Sequence, residues 1–353
     1  MLSLTSNSYL MSLQLLKRSM LLFWVLLTVH RVAGQPVTQQ QANEQEVDTA
    51  TPIEQHGVLR TSEDRIVDEH GMPPQLRGIS FSWSIWEGRK YYTPQVVDWL
   101  VDDFNVSLIR LSMAIEPDSG YLQQPDEQSA LIHQTATHAI ARGVYVIIDW
   151  HDHHADKNLE QAKAFFAQAA QRYAGTPNII YEIWNEPEEH AWPAIKAYSR
   201  AVIEEIRKYD PNNLIIVGSP RWDQDVDVTA ADPITGFSNI AYSFHFYASD
   251  PHHQEQLRAK AEIAMANGLP LFITEWGVGE SNGDGVFDRA KTDRWMAWME
   301  EHQLSWVNWN ITDKQETTAI LTSGARVTGK WPPEQLTPAG QYIRAQLRKL
   351  NVR

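Results

Sequence analysis

Two glutamates in this chain sit in settings that suit chemistry on an acetal. Glu186 follows one apolar run, in Trp184-Asn185-Glu186-Pro187, and Glu275 follows another, in Thr274-Glu275-Trp276-Gly277. A pair of carboxyl groups can split a glycosidic acetal. One gives a proton to the departing oxygen while the other stands against the oxocarbenium charge that develops at carbon. When the two lie about 5–5.5 Å apart, the second attacks directly and configuration is retained. Each glutamate taken alone is equally compatible with a helix cap or a loop carboxylate, because acidic residues are ordinary near helix starts. The two readings separate on whether other polar residues converge on the same place.

Convergence needs elements to deliver it. Eight short β-rich runs recur along the chain, at 76–80, 107–111, 144–149, 179–184, 214–218, 240–245, 271–275 and 306–310. Several are continuous apolar runs, as expected of strands covered on both faces. Helical patterns lie between them. Thr93-Pro94 reads as an N-cap and first-turn proline, with Val97, Leu100, Val101 and Phe104 on one face. The segment 131–142 ends at Gly143, and Ile195, Tyr198, Val202 and Ile206 form a stripe in 194–209 before Asp210-Pro211. This alternation predicts an α/β fold, a single (β/α)8 TIM barrel. A doubly wound open sheet would want a Gly-rich phosphate turn after an early strand, and the sequence has none.

A barrel places catalytic groups at the carboxyl ends of its strands. The expected strands end in Arg110, Asp149-Trp150-His151, Asn185-Glu186, His245-Phe246-Tyr247, Glu275 and Trp309. All would meet at one mouth.

Composition narrows the class of partner. With 353 residues, 43% hydrophobic and 21% charged, the chain has the make-up of a soluble globular protein with a large core. A net charge of −14 argues against nucleic acid as a partner. Fourteen tryptophans are more than a core asks for and suggest flat apolar faces that stack on a ligand such as a sugar ring. At the amino end Lys17 and Arg18 precede the apolar run Met20 to Leu27, and Val32-Ala33-Gly34 supplies small residues for cleavage. Residues 1–34 are expected to be a signal peptide, giving a secreted protein with no membrane contact once it is removed. Residues 35–55, rich in Gln, Glu and Thr, read as a flexible linker, and 56–353 as the catalytic domain. The absence of cysteine neither supports nor opposes export. A monomer is expected.

The flanking residues decide between the readings of the two glutamates. Asn-Glu-Pro after an apolar strand and Thr-Glu-Trp-Gly after another resemble the acid/base and nucleophile motifs of glycoside hydrolase family 5. The similarity is greatest to its bacterial-type endoglucanases, subfamily 2. Matching segments follow in order: Leu76-Arg77-Gly78-Ile79-Ser80 with Trp86, Ile109-Arg110, Ile147-Ile148-Asp149-Trp150-His151, Ile215-Ile216-Val217-Gly218, Trp222, His245-Phe246-Tyr247 and Asn308-Trp309-Asn310.

The resemblance implies a retaining endo-β-1,4-glucanase acting on cellulose or a related β-glucan without a cofactor. Glu275 is implied as nucleophile and Glu186 as acid/base, with Arg110 and the Tyr247 hydroxyl holding Glu275 ionised. Asn185 would bond the sugar 2-hydroxyl, and His151 and His245 would line the subsite beside the cleaved bond. Trp86, Trp222 and Trp309 are the expected stacking faces, whereas Trp99, Trp295 and Trp298 are expected in the core. Lys314 and Glu316, in Asp313-Lys314-Gln315-Glu316, resemble a segment that bonds glucose hydroxyls; an exposed ion pair is the competing reading.

The run His151, Asp152, His153, His154 and Asp156 lacks a recognised zinc spacing, so no metal is expected there, and Asp152, His153 and His154 are read as a solvated loop. One departure stands out: Ser82 occupies the place where many members carry a histidine. The motifs do not distinguish a preference for mannan, xyloglucan or mixed-linkage glucan, and a non-catalytic sugar-binding barrel would be expected to lack one of the two glutamates.

Overall fold

The computed structural model describes residues 50–351. Eight parallel strands close into a barrel: β1 (Arg77–Phe81), β2 (Leu108–Ala114), β3 (Tyr145–His151), β4 (Ile179–Glu182), β5 (Ile215–Val217), β6 (Ile240–Tyr247), β7 (Leu271–Gly277) and β8 (Trp306–Ile311). The last strand pairs with the first, Trp306 opposite Arg77. Every residue of these strands is buried, which is why they read as apolar runs and not as alternating ones. All the expected strands are present, and helices separate them.

Alternation along each strand divides the core in two. Outward residues such as Ile109, Leu111, Val146, Ile148, Tyr181 and Phe244 pack under the helices. Inward residues at the amino-terminal end of the barrel, among them Leu108, Tyr145, Ile147, Ile180, Ile216, Phe272 and Val307, form a separate apolar layer. One or two steps further along the same inward faces the side chains become polar: Arg110 and Ser112 on β2, Asp149 and His151 on β3, Glu182 on β4, Ser243 and His245 on β6. The period of two thus carries each strand from an apolar floor to an ionisable mouth.

Register slips between β6 and β7. Ser243 pairs with Phe272 but His245 pairs with Glu275, so β7 carries one extra residue there. Two consecutive side chains, Thr274 and Glu275, consequently face inward: Thr274 Oγ1 meets Ser243 and His245, while Glu275 meets Arg110 and Tyr247. The irregularity is what places the Glu275 carboxyl in the mouth.

The helix at Pro94–Asp102 begins as expected, with Thr93 Oγ1 accepting the Val96 amide at 3.3 Å. The stripe Ile195, Tyr198, Val202 and Ile206 is buried in the helix Trp192–Arg207. The helix expected over 131–142 runs Pro125–Ala141, starting earlier because Pro125 fits its first turn and Asp126 and Glu127 favour its positive end.

The boundary of the domain is corrected. Residues read as the end of a linker form a helix, Pro52–His56, in which Glu54 Oε2 accepts the Thr51 amide at 2.8 Å. The Ile53 amide bonds to Gly143 O at 3.0 Å, and its side chain packs on the floor layer. Polar composition hid one anchoring isoleucine. A short antiparallel ribbon, Arg60–Ser62 with Arg65–Val67, follows and sends Leu59 and Ile66 into the same floor. The expected signal peptide, 1–34, and linker residues 35–49 lie outside the described residues. Among the described residues no helix is long and apolar enough to cross a membrane.

Candidate active site

Around the mouth, loops and strand ends enclose a cleft of about 700 Å³. Trp86, His151, Asn185, Glu186, Trp222, Tyr247, Glu275, Trp309, Lys314 and Glu316 all line it. Arg110 lies below, with no exposure, and His245 opens onto an adjoining cavity of about 530 Å³ beside Glu186 and Trp222. Every residue expected in the site from the sequence is therefore at this mouth or directly under it.

The two glutamates face each other. One carboxylate oxygen of Glu186, one of Glu275 and a ring nitrogen of His245 lie within 4.8 Å of one another. Both oxygens of Glu275 are occupied: Oε2 accepts from Arg110 Nη1 at 3.0 Å and Oε1 from the Tyr247 hydroxyl at 2.7 Å. Burial and the neighbouring Glu275 charge hold the Tyr247 hydroxyl far above its usual range, so it remains a donor. Its approach depends on Gly277, where a Cβ would come within 2.7 Å of the Tyr247 ring.

Glu186 has a different setting. Its Oε1 meets His245 Nδ1 at 3.0 Å, and His153 Nδ1 stands 3.8 Å from Oε2. Burial raises its pKa, with Glu188 adding to the effect and His153 and Arg110 opposing it. One carboxyl is thus clamped by a cation and a hydroxyl, whereas the other is biased towards keeping its proton. That division suits an acid and a nucleophile working at the same pH.

Arg110 organises the layer beneath. Its Nε and Nη2 fork onto Glu182 at 2.7 and 3.1 Å, Nη2 also reaches Asn185 Oδ1 at 2.6 Å and Asp149 Oδ2 at 2.9 Å, and Nη1 takes Glu275. One guanidinium cannot neutralise three carboxylates in a dry site. Burial, opposed by Arg110 and reinforced by Glu275 and Glu186, pushes Asp149 up to about 8. The bond to Asn185 fixes that amide with its oxygen on the guanidinium and its NH2 turned away. His151 Nδ1 rests 2.6 Å from Asp149, and burial keeps this ring neutral. The ring lies parallel to Trp309 at 5.3 Å and takes the edge of Trp83 at 4.2 Å.

Trp86, Trp222 and Trp309 line the cleft and Trp295 and Trp298 are buried, whereas Trp99, expected in the core, is only half-buried against it. Trp86 is 62% exposed on the rim, whereas Trp295 has no exposure and stacks 3.7 Å from Phe246. Trp83, next to Ser82 and not singled out in the sequence, lines the cleft 5.4 Å from Trp86. Trp222 is delivered by an unusual turn: Arg221, Trp222 and Asp223 have φ of 56°, 55° and 60°. Left-handed backbone costs L-residues on the order of 1–2 kcal/mol each, so three in succession mark a turn held by its surroundings. Lys314 and Glu316 pair at 2.6 Å, but this is not a fully solvated bridge, since Glu316 is half-buried, with its side chain only 8% exposed, and also approaches Asn310.

The segment read as a solvated loop is corrected. Asp152 is buried and accepts from the His154 amide and from Asn158 Nδ2, both at 2.9 Å, while His153 lines the cleft. A buried carboxylate directly after His151 stiffens the turn, and adjacent polarity concealed it. Glu116, Asp152 and His154 bring possible ligand atoms within 4.8 Å, but hydrogen bonds already account for these contacts. Glu188 and the tip Ser281 to Gly283 also line the cleft and carried no sequence signal.

The family model for cellulases, glycosyl hydrolase family 5, matches residues 67–315. Endoglucanase Z of Dickeya dadantii is 44% identical over 242 residues, covering 68% of this chain and 56% of that protein. Endoglucanase N of Pectobacterium atrosepticum is 38% identical over 305 residues, 85% of this chain and 67% of that protein. The chain thus spans little more than half the length of Endoglucanase Z. Among solved structures, the catalytic domain of an endoglucanase from Thermobifida fusca superposes with a TM-score of 0.80 at 36% identity, covering 85% of this chain and 100% of that domain. A structure from Cytophaga hutchinsonii gives 0.83 at 41% identity over 86% of this chain and 98% of that one.

Proposed function

Because the chain belongs to glycosyl hydrolase family 5, the cellulases, we propose that it is a retaining endo-β-1,4-glucanase that hydrolyses internal bonds of cellulose or a related β-glucan by double displacement. The observation that carries this reading is the facing pair, with oxygens of Glu186 and Glu275 within 4.8 Å across the cleft. That spacing leaves no room for a water between nucleophile and sugar and suits direct attack.

The first step forms an ester between Glu275 and the anomeric carbon as the bond from that carbon to the departing oxygen breaks. Glu186 gives its proton to that oxygen. In the second step Glu186 takes a proton from water, whose oxygen replaces Glu275 at the anomeric carbon. Asn185, His151 and Tyr247 surround the reacting sugar, and Trp86, Trp222 and Trp309 offer faces for its neighbours. A Thermobifida fusca endoglucanase catalytic domain has been solved in complex with cellotetraose, which supports a β-glucan as substrate here. The charge of −14 disfavours nucleic acid as a partner.

Product anomers followed by proton NMR test the reading. The β-anomer should appear first from cellotetraose or soluble cellulose and then mutarotate. Initial α-product, or no hydrolysis across a panel of β-1,4-glycans, would overturn it. The same assay fixes the pH dependence. Burial raises the Glu186 pKa and the first step needs its protonated form, so kcat/KM should fall as pH rises through that pKa.

We also read residues 1–34 as a leader that directs export, on the strength of Lys17-Arg18, the apolar run after them and Val32-Ala33-Gly34. Amino-terminal sequencing of protein from the culture medium should begin near Gln35. Protein that stays in the cell with Lys17 intact would contradict this.

A further inference from the structure

We propose that Asp223 is a positioning residue for Glu186, acting through the ring of His245 by settling which ring nitrogen carries the hydrogen. The inference rests on Glu186 being the acid/base.

His245 stands between the two carboxyl groups. Its Nδ1 lies 3.0 Å from Glu186 Oε1. Its Nε2 faces Thr274 Oγ1 at 2.7 Å, Asp223 Oδ2 at 3.5 Å and Glu182 Oε1 at 3.9 Å. Asp223 has no exposure. Its Oδ1 accepts the Ser219 amide, but Oδ2 has no hydrogen-bond partner. A buried carboxyl oxygen left open beside a catalytic imidazole calls for a reason.

The turn that delivers it is built for the purpose. Arg221, Trp222 and Asp223 are all left-handed, and their loop is latched to the acid/base loop: the Arg221 amide bonds to Glu188 O at 2.8 Å and the Trp222 amide to Pro187 O at 2.9 Å. Gly218 permits this approach, since a Cβ there would meet the Pro187 ring at 2.8 Å. One strained turn therefore presents Trp222 to the cleft and Asp223 to the back of His245.

A neutral imidazole has one donor and one acceptor, and burial keeps His245 neutral, with its pKa lowered to about 4. The ionisable groups around the trio are Glu182, Glu188, Glu275, Arg110, His153 and Tyr247. Arg110 is already engaged by other carboxylates. Burial, together with the charges of Glu186 and Glu182, keeps the Asp223 carboxyl protonated. Its O–H then points at Nε2 and makes that nitrogen the acceptor. Nδ1 is left as the donor to Glu186 Oε1, and the catalytic proton sits on Oε2, the oxygen on the His153 side. The arrangement serves both steps, because an Nδ1–H donor suits Glu186 as acid and as carboxylate.

Without Asp223 the choice rests on Glu182, whose carboxylate 3.9 Å away favours a hydrogen on Nε2, and on the Thr274 hydroxyl. That hydroxyl also meets Ser243 Oγ at 3.0 Å and can accept from Nε2 as readily as donate to it. In the wrong tautomer the Nδ1 lone pair would draw the Glu186 proton onto Oε1, away from the leaving oxygen.

Two measurements test this on the full chain. Long-range ¹H–¹⁵N NMR of the histidines, with the His245 signals identified by a His245→Gln variant, should show the Nδ1–H tautomer in the wild type and in Asp223→Asn, whose amide N–H can donate at the same place. Asp223→Ala should lose it. In kinetics, Asp223→Ala should lower kcat/KM on cellotetraose about 30-fold, while kcat/KM on 2,4-dinitrophenyl β-cellobioside, whose leaving group needs no acid, changes by less than about threefold. Asp223→Asn should stay near wild type on both. An Nε2–H tautomer in the wild type, equal losses on the two substrates, or Asn behaving as Ala would overturn the proposal. If the wild type cleaves neither substrate, the functional reading fails, and the tautomer measurement still decides the role of Asp223.

Discussion

Glu275→Gln is expected to lower kcat on cellotetraose by roughly 10⁴-fold or more while changing its affinity only a few-fold. The amide has the shape of the carboxylate but cannot form the ester, so the path through the glycosyl-enzyme closes. Its neighbours can adapt. The amide oxygen can accept from Arg110 Nη1 and the NH2 can donate to the Tyr247 oxygen, once that hydroxyl turns its hydrogen away, so both contacts of Glu275 survive in altered form. The fold should not suffer. Arg110 is the cation for Asp149, Glu182 and Glu275, and removing one negative charge relieves that crowding. The melting temperature should hold or rise, as is common when a strained catalytic group is removed. Steady-state kinetics, calorimetry of cellotetraose binding and a thermal melt check the three parts. A kcat within a hundredfold of wild type would remove Glu275 from the nucleophile role.

Much of this site was legible because barrel strands are short, apolar and buried on both faces, and because their polar ends follow by the period of two. Arg110, Asp149 and His151 were found as the polar ends of apolar runs, and in the fold they are inward residues one or two steps above Leu108 and Ile147. What escaped has a physical reason in each case. The extra residue of β7 leaves no mark in Thr274-Glu275-Trp276, because a register slip depends on the partner strand. Trp83 and His153 look like any loop residues until the loops fold over the cleft. Three left-handed residues at Arg221, Trp222 and Asp223 contain no glycine and so gave no turn signal. Ile53 was lost in a polar stretch because a five-residue helix, Pro52–His56, is too short to show a period. Asp223 was invisible for the opposite reason: a charged residue after Trp222 reads as surface, yet it is wholly buried.

Replacing Arg110 should have the widest consequences of any single change. Arg110→Met deletes the cation while keeping much of the side-chain volume, and it leaves Asp149, Glu182 and Glu275 facing one another without exposure to water for the first two. Breaking a buried ion pair from one side costs about 3–5 kcal/mol, which for a domain of this size lowers the melting temperature by about 5–8 °C. Turnover should fall by roughly 10³-fold or more, because the nucleophile, Asn185 and the layer beneath all lose the group that aligns them. Arg110→Lys should recover part of the stability but little of the activity, since an ammonium cannot fork onto Glu182 and still reach Asn185 and Glu275. The sign of the pH effect distinguishes this account from a simple packing defect. Buried carboxylates without their cation keep protons that the unfolded chain releases, as Asp149 already does at about 8. The folded variant then binds more protons than the unfolded one above about pH 4, so its stability must fall as pH rises. Melts of wild type and Arg110→Met at pH 5 and pH 8 should therefore show a gap that widens at pH 8; an equal gap at both would mean that lost packing, and not stranded charge, is what the arginine prevents.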